Sequence, residues 1–262
     1  MNSTTPVKKE HPACHNLYER YTSTASLESF ANEEAMLQWN RGYFLAHYKR
    51  LLPNDKKARV LEVGCGYGRY IKIPSEMGYT DCYGVDLSPE QIAYARTKLA
   101  LANVEQANAL DWLVGKDETY DCILGLDILE HLNMEDLLTL GERIYKALKP
   151  GGTIILQVPN GMSPLNPIIY GDLTHVRAFT VRSMQQFLLL VGFGEKVYFE
   201  IPPYVHGIRS AMQRALWSSV FRPLISAFVY AVHGKVSAGN IYSSNFIAYA
   251  VKGAAGVNES ID

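Results

Sequence analysis

The sequence predicts an α/β protein: a seven-stranded, mostly parallel sheet with helices on both faces, an N-terminal helical cap, and a helical insertion before the last strand. Three observations carry that expectation. From residue 57 onward, short apolar, β-branched runs alternate with helix-compatible segments, the pattern of a parallel sheet covered on both sides. The first run, Val60-Leu61-Glu62-Val63, breaks into glycines at alternate positions, Gly64, Gly66 and Gly68. The second run ends in an acid, Asp86, about twenty residues further on, where such sheets place a ribose contact.

Each element has its own signal. Residues 1–12 read as a loose arm, and 16–52 as helical, with Leu37, Tyr43, Phe44 and Tyr48 on the apolar face and Pro53-Asn54-Asp55 as the stop. Residues 59–63 are expected as the first strand and 67–77 as its helix. Residues 82–85 form the second strand; its helix, 89–102, opens with Ser88 as N-cap and Pro89 in the first turn. A short third strand is expected over 104–109 and a fourth over 120–126. A helix over 135–148 stops at Lys149-Pro150-Gly151-Gly152, before a fifth strand over 153–158. A loop rich in Pro, Asn and Gly fills 159–180, a length that in compact domains marks function or mobility. A helix over 181–191, a sixth strand over 196–201 and a seventh over 245–251 complete the sheet. The insertion, 202–244, carries a helical run from 209 to 232 that Pro223 should interrupt. The organisation expected is thus an arm and cap over 1–52 and a sheet domain over 53–262.

Composition narrows the function. With 25 basic and 26 acidic residues the net charge is −1, so no basic excess is present to neutralise nucleic-acid phosphates. The four cysteines, Cys14, Cys65, Cys82 and Cys122, lack paired metal spacing and read as small hydrophobes in a reducing compartment; no metal ligands are assigned. The polar N-terminus gives no signal peptide, and no unbroken apolar run of about twenty residues predicts a transmembrane helix. The expected location is the cytoplasm.

The glycine turn sets the ligand. A strand that ends in such a turn brings backbone N–H groups close to a bound molecule, and a Cβ there would obstruct it. A dinucleotide fingerprint needs its third glycine three positions after the second; here that position is Arg69. The segment Glu62-x-Gly64-x-Gly66-x-Gly68 instead resembles the first motif of the class I S-adenosylmethionine-dependent methyltransferases, whose fold is Rossmann-like. The likeness covers residues 57–200 and the final strand. It implies S-adenosylmethionine as cofactor, with Glu62, Gly64, Cys65, Gly66 and Gly68 toward its methionine part. Asp86 can accept both ribose hydroxyls, with Leu87 beside it. Asn108, followed by Ala109, stands where the family usually has the acid that holds the adenine amine; its side-chain oxygen can still accept. Asp111 is an alternative contact, and Trp112 lies either against the adenine or in the core. Asp127 should border the methionine end.

Two further stretches bear on the acceptor. Asp127-Ile128-Leu129-Glu130-His131 resembles the Asp-x-x-Glu-His signature of methyltransferases acting on quinones, sugars and other small acceptors; the Glu130–His131 pair either shapes the site or caps the next segment. Gly171-Asp172-Leu173-Thr174-His175, then Phe179-Thr180, resembles methyltransferases of bacterial surface-polysaccharide (O-antigen and capsule) assembly. There His175 can take the proton of an attacking hydroxyl while Asp172 fixes its tautomer; alternatively both staple the loop to backbone. His131, Tyr170 and Arg177 are the expected acceptor contacts. The function expected is O-methylation of a hydroxyl, or a phosphate, on a saccharide or lipid-linked glycan. A small-molecule O-methyltransferase (quinone or secondary metabolite) and a non-catalytic cofactor-binding module stay open. For the insertion, a cover over the site, a homodimer contact and peripheral contact at the inner face of a membrane through 209–232 all stay open.

Overall fold

The computed structural model describes residues 33–234 and 241–253; the expected arm, the first part of the cap and Cys14 lie outside the described residues. One sheet holds β1 (Arg59–Val63), β2 (Asp81–Asp86), β3 (Val104–Gln106), β4 (Tyr120–Leu126), β5 (Leu148–Pro159), β6 (Lys196–Glu200) and β7 (Asn245–Val251) in the order β3-β2-β1-β4-β5-β7-β6. β1 to β5 pair in parallel, and β7 runs antiparallel to both β5 and β6. Strand order reverses between β1 and β4, so a crevice opens at their carboxyl ends, where α/β sheets bind ligands.

Nine α-helices are described: α1 (Glu33–His47), α2 (Lys72–Glu76), α3 (Pro89–Thr97), α4 (Ala109–Trp112), α5 (Met134–Ala147), α6 (Pro167–Gly171), α7 (Val181–Leu190), α8 (Ile208–Leu216) and α9 (Arg222–His233). The two-residue period of the strands divides the core. Leu61, Ile123, Ile154 and Leu156 face Leu140 and Ile144 of α5 and Met184 and Leu188 of α7. Val60, Cys122, Leu124 and Ile155 face Phe44 and Tyr48 at and just beyond α1, and Ile92 and Ala95 of α3. The cap helix is therefore part of the core.

Several boundaries differ from the sequence reading, each for a local reason. The helix after the glycine turn is only Lys72–Glu76, because Gly68 sits at φ +82° and Pro74 has no N–H to continue a longer ladder. α3 stops at Thr97, and the chain leaves through Ala100 in the left-handed region (φ +54°). β3 stops at Gln106: the Ala107 N–H donates to Asp86 O at 2.9 Å, and Asn108 becomes the N-cap of α4. Lys149-Pro150-Gly151-Gly152 does not end before β5 but bulges within it, since Tyr120 faces Leu148 while Cys122 faces Thr153. α8 and α9 join through a π turn, Trp217–Phe221, so Pro223 does not break the run. The wider turn leaves the carbonyl that an α-helical N–H at 223 would have claimed to other partners. Ile208–His233 is thus one 26-residue helix containing an 18-residue stretch of mean hydropathy 1.4, long and apolar enough to cross a membrane by length and composition.

Candidate active site

The glycine turn is built as its sequence demands. Gly64, Gly66 and Gly68 all hold positive φ (+69°, +55° and +82°), and a Cβ at Gly64 would stand 2.7 Å from Ile128 Cδ1. Asp86 closes the turn from the end of β2: Gly66 N–H donates to its Oδ2 and Ser88 N–H to its Oδ1, each at 2.8 Å. Each carboxylate oxygen keeps lone-pair capacity for a hydroxyl. Loss of hydration raises the Asp86 carboxyl pKa, and these N–H donors offset part of that.

Beneath the turn, Glu62 is 1% exposed and its Oε2 has no partner. Burial pushes its carboxyl up to about 8, against the pull of Arg69 and the Ile71 N–H. Arg69, the residue that replaces the dinucleotide glycine, reaches Asp127 Oδ2 at 3.6 Å and stacks over Tyr70 with its guanidinium carbon 4.5 Å from the ring centroid. Asp127 sits just past β4 at φ +56°, where Gln157 of β5 holds it. Gln157 Nε2 donates to both Asp127 oxygens at 2.8 Å. Gln157 Oε1 accepts from Tyr43 at 3.1 Å and from Tyr48. This tyrosine–amide–carboxylate network was absent from the sequence reading. Its signals were one polar residue inside the apolar run Thr153–Val158 and an arginine in place of a glycine.

The acceptor loop is anchored, not loose. Asn160, fully buried, donates to Ile241 O at 3.0 Å and Ser243 O at 2.9 Å, and Asn166 donates to Ser244 O at 2.7 Å. Val176 N–H donates to Glu130 O at 2.9 Å, which brings the loop over the end of β4. Glu130, His131 and His175 meet there: the imidazole centroids are 4.7 Å apart and His175 Nε2 lies 4.0 Å from Glu130 Oε1. Both Glu130 oxygens and His175 Nδ1 are buried without partners. Burial, then the nearby Asp127 charge, raises the Glu130 carboxyl well above the usual range.

Asp172 corrects the expectation made for it. Its Oδ1 accepts from Thr174 N–H at 2.8 Å and from Thr174 Oγ1 at 2.6 Å, and Thr174 Oγ1 lies 2.7 Å from His131 Nδ1. A hydroxyl that gives its one proton to Asp172 can only accept from His131, so Nδ1 carries the hydrogen and Nε2 is bare. Asp172 therefore orients His131 through Thr174, and burial lowers the His131 pKa to about 4. One donor atom from each of Glu130, His131 and His175 falls within 4.8 Å of the others, a set that could hold a divalent cation. No metal ligands are legible in the sequence because His175 lies far along the chain from the adjacent Glu130–His131 pair.

Other expected contacts fall less centrally. Asn108 is exposed, and its Oδ1 accepts from Leu110 N–H at 2.9 Å as a helix cap; Ala109 opens α4. Trp112 donates to Tyr120 OH at 3.3 Å and carries Lys116 over its ring, and Leu87 stands 43% exposed beside Asp86. Tyr170 is 88% exposed on α6, and Arg177 packs its Nη1 3.7 Å from Met134 Sδ; neither hydrogen-bonds to the histidine cluster.

A family profile described as a methyltransferase domain matches residues 36–194, more than half of the chain. The chain belongs to that family. The fold agrees: an S-adenosylmethionine-dependent methyltransferase from Archaeoglobus fulgidus superposes with TM-score 0.60 at 22% identity, covering 81% of this chain and 94% of that one. Phosphoethanolamine N-methyltransferase 2 of Haemonchus contortus, in complex with S-adenosylmethionine, gives 0.58 at 19% identity over 90% and 60%. Among curated relatives, the ubiquinone biosynthesis O-methyltransferase of Xanthomonas campestris pv. campestris is 32% identical over 111 residues, 39% of this methyltransferase and 44% of the relative. Trans-aconitate 2-methyltransferase of Delftia acidovorans is 25% identical over 181 residues, 64% and 63% of the two chains. The matched region thus spans less than half of the ubiquinone relatives and under two thirds of the aconitate one.

S-adenosylmethionine is the cofactor, and the crevice suits it. The glycine cradle offers N–H groups without a lysine for phosphate, Asp86 faces it with free acceptor capacity, and Glu62 keeps an unpartnered oxygen below. Four carboxyls, Glu62, Asp86, Asp127 and Glu130, gather near the carboxyl ends of β1, β2 and β4.

Proposed function

We propose that this methyltransferase is an O-methyltransferase for a hydroxyl of a small organic acceptor, of the phenolic or enolic kind. The observation that carries the reading is the buried Glu130–His131–His175 cluster at the end of β4, beside Asp127. When bound, S-adenosylmethionine supplies an electrophilic methyl group whose leaving thioether is neutral, so the protein need only align the acceptor and take its proton. His175 is the group placed to take that proton. His131, held as the Nδ1–H tautomer, packs edge-on against the His175 ring with centroids 4.7 Å apart and fixes that ring in place. Asp127 stands close enough to His175 for the two side chains to interact electrostatically. The new oxygen–carbon bond forms as the carbon–sulfur bond breaks, and its electron pair leaves with sulfur.

The relatives' names favour small acceptors: one is named for ubiquinone biosynthesis, the other for trans-aconitate. A hydroxyl on a saccharide or lipid-linked glycan is the second reading, favoured by the Gly171-to-Thr180 loop sequence alone. Turnover against catechols, polyprenyl phenols, nucleotide sugars and lipid-linked oligosaccharides separates the two. On the preferred acceptor, His175→Ala should lower kcat by about a hundredfold to ten-thousandfold with cofactor affinity unchanged. Wild-type turnover in that variant refutes the role. A cation held by the cluster would show as loss of turnover in chelator, restored by added magnesium or manganese.

A further inference from the structure

The helix Ile208–His233 stands on the protein with almost none of its length buried, and one side of it is a continuous apolar stripe. Ile208 (82% exposed), Met212, Leu216, Val220, Leu224, Phe228 (68%) and Val232 follow one another every four residues, with Phe221 beside them. Four residues overshoot one α-helical turn by about 40°, and the wider π turn at Trp217–Phe221 winds part of that drift back. Ser210 and Val229 are the buried residues of the helix, and Ser210 Oγ accepts from His206 N–H at 2.9 Å and donates to Gly207 O at 2.9 Å in the entry turn. Arg222 pairs with Glu200 at 2.8 Å, and Arg214 donates to Pro203 O at 3.2 Å. Just ahead of the helix, Tyr204 lies over Gly42 of α1, so closely that a Cβ at residue 42 would clash with its ring.

Charge decides what covers the stripe. No acidic residue occurs between Glu200 and Glu259, while Arg209, Arg214, Arg222, Lys235 and Lys252 all fall there, in a chain with 26 acids against 25 bases. Arg209 is exposed beside an apolar groove of about 430 Å³ that Met212, Leu216, Trp217 and Phe221 line. Arg222 is already paired with Glu200, but a twofold pairing of this face would set Arg209 against its own copy with no acidic residue of 201–258 to meet it. An anionic lipid surface supplies both the apolar interior and the opposite charge.

We propose that the Ile208–His233 helix lies in the plane of an anionic phospholipid surface, with the Ile208-to-Val232 stripe in the acyl boundary and Arg209 at the headgroups. The Arg222–Glu200 ion pair ties the middle of the helix to the end of β6, which favours an in-plane over a spanning orientation. The helix enters from Glu200 and returns to Asn245, the ends of β6 and β7 at the same edge as the β5 end, Pro159. The lipid surface would therefore lie at the crevice side of the sheet. This inference does not depend on the acceptor's identity.

The test is sedimentation of the full chain with vesicles of phosphatidylcholine alone and of phosphatidylcholine with phosphatidylglycerol. The expected result is binding to the anionic vesicles, weakened by salt, lost in the Leu224→Glu/Phe228→Glu double variant and reduced about fivefold in Arg209→Ala. Melting temperature and turnover on a water-soluble acceptor should stay as in wild type, since these side chains are exposed. Three results overturn the proposal: no partition into either vesicle, equal partition into both without salt dependence, or a dimer that Phe228→Glu dissociates without any vesicle binding. Retention in vesicles through alkaline carbonate extraction would assign a spanning helix and overturn the in-plane placement.

Discussion

Replacing Glu62 by Gln should stabilise the free protein at neutral pH, an unusual outcome for a buried residue in a binding site. The carboxyl is 1% exposed, and burial lifts its pKa from 4.5 to about 8. A carboxyl raised in this way favours the fold while protonated. Its contribution is complete below pH 4.5, shrinks as the unfolded chain ionises, and is gone once pH passes about 8. Each pH step in that window is worth about 1.4 kcal/mol, so by pH 7 the unfolded chain has gained roughly 3 kcal/mol from this one group. Glutamine keeps the shape and cannot ionise. Urea unfolding of cofactor-free protein at pH 5 and pH 7 should therefore show a smaller pH-dependent loss for Glu62→Gln than for wild type, by roughly 2 kcal/mol. Cofactor affinity should move the opposite way and fall above about pH 8, where Glu62 is ionised and glutamine has no negative charge to offer a cationic ligand. Identical pH dependence in both proteins would refute the argument, since it would mean that Glu62 ionises as freely in the fold as outside it.

Other substitutions test other parts of the crevice. Asp86→Ala removes the acceptor for Gly66 and Ser88 N–H and should weaken S-adenosylmethionine and its demethylated product by similar factors, about ten- to a hundredfold each by calorimetry. A loss confined to one of the two would contradict a ribose role. Gly66→Val places a branched residue at φ +55° with its Cβ 2.5 Å from Gln91 Oε1, and should abolish cofactor binding while circular dichroism stays native. Gln157→Leu leaves the Tyr43 and Tyr48 hydroxyls and the Asp127 carboxylate without their shared partner and should lower stability by on the order of 3 kcal/mol; an unchanged urea midpoint would show that water replaces it.

The parts of this structure that could be read from sequence are those set by local chemistry. Apolar β-branched runs gave the strands, because a doubly covered parallel sheet leaves them no polar alternation. Glycines at alternate positions gave the turn, because only they reach φ +69°, +55° and +82° without strain. What escaped reading depends on partners far apart in the chain. Asp172 sits three residues from His175 yet serves His131, because the Asp172 turn delivers Thr174 Oγ1 to the histidine after β4. Gln157 looked like one polar exception in a strand until Tyr43 and Asp127 closed on its two ends. Pro223 looked like a break until the π turn ahead of it made room.

Electrostatics joins these pieces. At the carboxyl edge Glu62, Asp86, Asp127 and Glu130 converge, and burial raises the pKa of every one. Such convergence is unfavourable in the empty protein, where one arginine, Arg69, lies among the first three; burial alone would lower its pKa, but Tyr70, Tyr67, Asp127 and Glu62 keep it charged. The same arrangement repels a pyrophosphate and attracts a cation. The Arg69 side chain occupies the position where a dinucleotide site needs glycine, so it both removes the backbone approach and anchors Asp127. Ligand choice in this fold then follows from charge at the strand ends as much as from glycine spacing.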